Sequence, residues 1–185
     1  ASSPTAAGRA AEGLRRPVAL KAFDPGLTGR RSLGAIALDL RSGRAVQRAA
    51  REMRDRLTGS GYAVSGFTIQ PMVNDADQLI VGVTQDPVFG PVLACGHGEA
   101  SEPVVRLTPL SETEADDVVL RLGGSPALRD LVLRVGALVE DLPEVVDLDL
   151  EPVLVNEEGA FVGDASLRVE VRPPQPPLEA RVRRH

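Results

Sequence analysis

The chain has 185 residues, 43% hydrophobic and 25% charged, with a formal net charge of -5. That length supports a sizeable core in one domain or two small ones, and no apolar run reaches the length of a membrane helix. A net negative charge with 3% aromatics argues against nucleic-acid binding, which favours basic faces and stacking rings. One cysteine, Cys95, excludes an internal disulfide framework and fits a reducing cytoplasm. With two histidines beside it, no structural zinc site of the usual kind is expected.

The opening "ASSPTAAG" reads as a polar lead-in or the stub of a longer chain, and "RAAEGLRR" as the end of a helix. "PVALKAF" is a strand entered through Pro17, followed by the turn-rich "DPGLTG" and a second strand in "LGAIALDL". Behind a possible N-cap at Ser42, Val46, Ala49, Ala50, Met53 and Leu57 recur at helical spacing. "TGSGY" stops that helix, and "GFTIQPMV" returns as a strand.

A second unit follows. "QLIVGVTQD" and "GPVLACG" predict a hairpin about "DPVFGP", and "EPVVRLTPL" adds a strand. Ser111 followed by Glu114 has the form of a capping box and sets a helix N-terminus. "PALRDLVLRVGALVEDL" is a second amphipathic helix, apolar at Leu128, Leu131, Val132, Val135, Leu138 and Val139. "VVDLDLEPVLVN" and "AFVGDASLRVEV" close the unit as two strands about the turn "EEG". The Pro-rich, then basic tail "RPPQPPLEARVRRH" is expected to be extended or disordered. The class is α/β, of the α+β kind with mixed sheets, in two lobes: residues 1–73, residues 74–172, and a tail over 173–185.

Lys21 is the only lysine in the chain. A Lys ammonium is a compact charge that reaches a phosphate from a strand, and the planar fork of Arg does not replace it there. The ordinary alternative is a solvated surface lysine.

"LIVGVTQDPVFGPVLACGHG", "RLTPL" and "VVDLDLEPVLVNEEGAFVGDA" resemble the ATP-grasp domain of ADP-forming acyl-CoA synthetases, relatives of succinyl-CoA synthetase. The resemblance runs from Pro17 to Val171, and "DPVFGP", Asp86 to Pro91, is its most specific piece. It implies an ATP-grasp fold lacking the family's opening strand and helix, so an N-terminally truncated fragment. In that family the enzyme moves a phosphoryl group between ATP and an acyl phosphate through a phosphohistidine, and the two lobes clamp the nucleotide. Similar domains are also fused to GNAT-type acetyltransferases.

Carried over residue by residue, the resemblance places Lys21 toward the nucleotide phosphates. It places Gln70, Pro71, Met72 and Val73 at the hinge, where backbone groups would meet an adenine edge. Gln78 stands where the family has Glu, keeping length and losing charge. The family's Mg²⁺-holding Asn and Asp correspond to Glu151 and Asp164, both oxygen donors suited to a hard cation. An exposed charged pair on a hairpin is the plain alternative. Lys21, Glu151 and Asp164 are therefore expected to converge on one cleft.

The departures from the family concentrate at the phosphate and metal region. The family's "HKSD" appears as "GRRS", Gly29 to Ser32, and its "GxGG" as "GHGE", Gly96 to Glu99. Glu99 or Glu102 would have to replace an acidic residue lost with a short deletion. His97 is outside the position of the transferred phosphohistidine and reads as a polar loop residue, and Cys95 as a buried small side chain. Phosphoryl transfer depends on positioning and charge, so these losses predict a degenerate module with no catalysis of its own. Two functions stay open: an ATP/ADP- and Mg²⁺-binding module working with CoA-binding or ligase domains of the same protein or complex, or a structural or regulatory domain of an acetyltransferase. Both are cytoplasmic, without nucleic acid or membrane.

Overall fold

The computed structural model describes residues 1–27, 33–98 and 101–171. The chain divides into two compact units, the first spanning Ala1–Asn74 and the second beginning at Asp75. The expectations on Gly29 to Ser32, on Glu99 and on the tail from residue 172 lie outside the described residues.

The first unit is built from α1 (Pro4–Glu12), β1 (Val18–Phe23), β2 (Ile36–Leu40), α2 (Gly43–Gly59) and β3 (Gly66–Pro71). The strands form an antiparallel sheet in the order β2-β1-β3. Alternation sends Val18, Leu20 and Ala22 of β1, with Phe67 of β3, into a core shared with Val46, Ala50, Met53 and Leu57 of α2. The helix face is the one predicted from spacing, and Ser42 caps it by accepting a hydrogen bond from Ala45 N at 3.2 Å.

The chain's start differs from the sequence reading. Residues taken as a polar lead-in form α1, and that helix ends at Glu12 instead of running through Arg16. Ser3 accepts from Ala6 N at 3.2 Å, and Pro4 occupies the first turn, where its missing N–H costs nothing. α1 also has small residues at its crossing with α2. A Cβ on Gly8 would lie 2.7 Å from Gly43 O, and one on Gly43 would lie 2.6 Å from Gly8 O.

The second unit holds β4 (Asp77–Asp86), β5 (Gly90–Gly96), β6 (Val104–Leu107), α3 (Glu112–Leu122), α4 (Pro126–Asp141), β7 (Val145–Asn156), β8 (Gly159–Val162) and β9 (Ala165–Val169). Its sheet runs β6-β5-β4-β7-β8, with β9 also paired to β7, and every pairing is antiparallel. Leu79, Val81 and Val83 of β4, Leu93 and Cys95 of β5, and Leu148, Leu150, Val153 and Val155 of β7 form the core with α3 and α4. The capping box is present: Ser111 Oγ accepts from Glu114 N at 3.3 Å, and Glu114 Oε2 accepts from Ser111 N at 2.8 Å. The β4–β5 hairpin turns at the predicted place. Asp86 Oδ1 accepts from Val88 N at 2.8 Å and Phe89 N at 2.9 Å, and Gly90 takes φ +83.

The last stretch also departs from the sequence reading. "AFVGDASLRVEV" is two strands, β8 and β9, both lying along the same long β7. The break falls at Gly163 and Asp164, opposite Glu151 and Pro152, where β7 shifts register against β4. An extra residue in one strand turns the alternation over, so one partner strand cannot follow β7 along its whole length.

Candidate functional site

Both sheets bury one face against helices, and Lys21, Gln70, Gln78 and Glu151 fall on the opposite faces. In the first unit Lys21 is paired across β1 with Ile36 and Thr68, and Ala19 with Gln70. Alternation therefore puts Lys21, Thr68 and Gln70 on the sheet face turned away from α1 and α2. Lys21 is 8% exposed, the single buried charged side chain among the described residues. This removes the solvated-lysine alternative, because a buried ammonium is rare unless it is engaged. Gln70 and Pro71 close β3, and Met72 N donates to Pro17 O at 2.9 Å, tying the following segment to the entry of β1. Met72 and Val73 are half-buried.

In the second unit Gln78, Ile80, Gly82 and Thr84 of β4 share a face with Asp147, Asp149 and Glu151 of β7. Gln78 is exposed and paired with Leu154. Glu151 and Asp164 are brought side by side. Glu151 N donates to Asp164 O at 3.1 Å, and Gly163 N donates to Pro152 O at 2.7 Å. Asp164 Oδ1 also accepts from Ala165 N at 3.1 Å. A Cβ on Gly163 would lie 3.0 Å from Pro152 Cδ and Cγ and 3.1 Å from Pro152 O, so only glycine lets the two segments approach this closely.

Reading by motif missed Asp147 and Asp149. The signal was present as acidic residues at every second position of "DLDLE", alternating with the apolar Leu148 and Leu150. Asp147 lies 4.0 Å from Arg168, whose guanidinium also pairs with Glu170. Gly82 is held small beside Asp149: a Cβ there would lie 3.2 Å from Asp149 Oδ1.

The donor set fits a hard cation. Among the described residues no group of three or more His, Cys, Asp or Glu gathers as a complete metal cage. Mg²⁺ does not need one, since it takes one or two carboxylates and completes its shell with phosphate oxygens and water. Glu151 and Asp164 have that chemistry on a backbone-fixed platform.

The two tempting side chains are structural. His97 Nε2 lies 3.3 Å from Leu122 O, at the last residue of α3, where an imidazole satisfies a helix-end carbonyl. Cys95 is buried in the core, and desolvation pushes its thiol up to about 12. The folded chain is expected to leave Cys95 unmodified by a thiol-specific disulfide reagent at pH 8 and to expose one reactive thiol in denaturant. Glu102 is exposed and removed from Glu151 in the sheet order, three strands away across β5 and β4.

The fold is an α+β arrangement of two units, each an antiparallel sheet with helices on one face. The chain belongs to the ATP-grasp family: the ATP-grasp domain matches residues 1–169. It is 31% identical over 175 residues to acetate–CoA ligase [ADP-forming] I of Archaeoglobus fulgidus, covering 83% of this chain and 25% of that protein. It is 27% identical over 181 residues to acetate–CoA ligase [ADP-forming] II subunit beta of Pyrococcus furiosus, covering 85% and 77%. The dinucleotide-forming acetyl-coenzyme A synthetase 1 of Ca. Korarchaeum cryptofilum, solved with coenzyme A, Ca-AMPCP and HgCl+, superposes with a TM-score of 0.84. That match is at 25% identity and covers 92% of this chain and 83% of the other. The chain is thus an ATP-grasp module homologous to ADP-forming acyl-CoA synthetases, spanning about a quarter of the Archaeoglobus protein. Among the described residues no helix is long and apolar enough to cross a membrane.

Proposed function

We propose that this module binds ATP or ADP with Mg²⁺ as the nucleotide-handling part of an ADP-forming acyl-CoA synthetase-like protein. Lys21 serves the phosphates, backbone groups from Gln70 to Val73 serve the base, and Gln78 serves the ribose side. Glu151 and Asp164 hold the metal. The observation that carries this reading is the backbone link between Glu151 and Asp164, which sets two oxygen donors on adjacent segments. Mg²⁺ held by Glu151 and Asp164 would supply positive charge to offset that of the phosphates. The buried Lys21 supports the phosphate role, because burial holds its ammonium in one place.

The altered phosphate-loop sequences, Gly29 to Ser32 and Gly96 to Glu99, keep binding weak, the extra charge at Glu151 makes it depend more steeply on Mg²⁺, and the chain alone does not turn over substrate. Its partners in this reading are CoA-binding or ligase domains of the same protein or complex, in the cytoplasm. The length of the Archaeoglobus relative and the subunit naming of the Pyrococcus relative support that arrangement. The alternative is a structural or regulatory domain of a GNAT-type acetyltransferase, with no nucleotide turnover.

Titration calorimetry with ATP, with and without Mg²⁺, separates the two. Weak, Mg²⁺-dependent binding is expected, and Lys21→Ala should weaken it about tenfold, the loss of one charge-assisted contact. No binding at all favours the structural or regulatory reading, and tight binding without metal overturns the proposed site.

A further inference from the structure

The fold divides the charge of the chain. Residues up to Asn74 include twelve Lys and Arg against five Asp and Glu, while residues from Asp75 include nine against twenty-one. The two units therefore carry formal charges of +7 and -12, which together give the -5 of the whole.

The arginines of the two units are also used differently. In the second unit Arg106, Arg121, Arg129, Arg134 and Arg168 each have a carboxylate partner. In the first, Arg41 pairs with Asp39, Arg54 lies over the Phe67 ring, and Arg56 donates to Gly34 O. Arg44, Arg48 and Arg51 are exposed and have no ion pair or hydrogen bond with the described residues. Their spacing of four and three places them on one face of α2, in a stripe about 10 Å long. Arg44 stands in the first turn, which contains no acidic residue and whose helix dipole repels a cation.

The end of α4 is its counterpart. Glu140, Asp141 and Glu144 are exposed and have no ion pair among the described residues. The last turn of α4 has no basic residue, so its carboxylates meet the negative end of the dipole. Between them Leu138 and Leu142 are 40% and 50% exposed. An apolar centre inside a charged rim is the anatomy of a protein–protein contact.

Arg44 in the first turn of α2, and Glu140 and Asp141 in the last turn of α4, thus carry the charge their own helix dipole disfavours, and the two charges are opposite. We propose that α2 of one copy of this chain docks on the end of α4 of a second copy. Arg44, Arg48 and Arg51 face Glu140, Asp141 and Glu144 around Leu138 and Leu142. A nucleic acid fits the stripe less well. The chain has no Trp and one Tyr for stacking, and Glu52 and Asp55 close the stripe at its C-terminal end. That finite length matches a local acidic patch better than a running polyanion.

Sedimentation velocity over a range of protein concentrations tests the contact. Wild type is expected to self-associate at about 50 mM salt and to weaken about tenfold or more at about 500 mM, as screening shortens the reach of exposed charges. Arg44→Glu/Arg48→Glu/Arg51→Glu and Glu140→Arg/Asp141→Arg/Glu144→Arg should each be monomeric, with unchanged circular dichroism. An equimolar mixture of the two should associate again. Arg44→Gln/Arg48→Gln, a milder change at exposed positions, should weaken association in the same direction. A monomeric wild type, reversal variants that associate like wild type, or a mixture that stays monomeric overturns the proposal. So does loss of association only on deleting residues 172–185. Binding of a fluorescent oligonucleotide by a monomeric chain, abolished by the arginine reversals, would assign the stripe to a polyanion instead.

Discussion

Asp164→Ala is expected to abolish the Mg²⁺-dependent part of ATP binding, read as the difference between calorimetric titrations with and without the metal. A carboxylate is the hard donor a Mg²⁺–phosphate complex uses, and alanine offers none. Asp164 is also held in place from three directions, by Glu151 N on its carbonyl, by its own bond from Ala165 N, and by the close approach of Gly163 to Pro152. Gly163→Ala should therefore reproduce part of the loss without touching a ligand, because the added methyl must displace Pro152 or the segment itself. Glu151→Asn should narrow the same gap by a different route, through the metal-free titration. Without a cation, the Glu151 carboxylate repels the triphosphate; with one, it attracts the complex. Removing that charge raises metal-free binding and narrows the gap between the two titrations. A Glu151→Asn chain with an unchanged gap would place Glu151 outside the site.

Leu93→Ala is expected to cost about 3 kcal/mol of unfolding free energy, measured as a lower urea midpoint at unchanged slope. Leu93 is fully buried at the centre of the second unit's core, on β5 between β4 and β6. Truncation leaves a cavity roofed by α3 and α4, which are anchored by the capping box of α3 and the Arg129–Asp116 ion pair between them and cannot collapse far into it. Leu120→Ala is the matched control. That side chain is 82% exposed on α3, and its loss should move the midpoint by less than about 0.5 kcal/mol.

Much of the fold was legible because its signals are local. The helical repeat of Val46, Ala50, Met53 and Leu57, the capping box at Ser111 and the turn chemistry of Asp86 and Gly90 each act within a few residues. Ser3 and Pro4 carried an equally local helix-start signal, and reading "ASSPTAAG" as lead-in passed over it. The motifs placed Glu151 and Asp164 in adjacent elements. Their spacing did not reveal that both β8 and β9 lie along β7, because that pairing depends on where β7 shifts register.

The sequence by itself determined which residues can be helix and strand, which face of each is apolar, and the family to which their order belongs. Tertiary structure decided the rest. Burial of Lys21 is set by where β1 sits between β2 and β3, and not by its neighbours in the chain. Cys95 is made inert by core packing from α3 and α4, since desolvation is a property of surroundings and not of spacing. Glu151 and Asp164 meet through backbone bonds across thirteen positions, at a break no period in either strand encodes. Periodicity reports the face a side chain takes. Only the pairing of distant strands reports what stands opposite it.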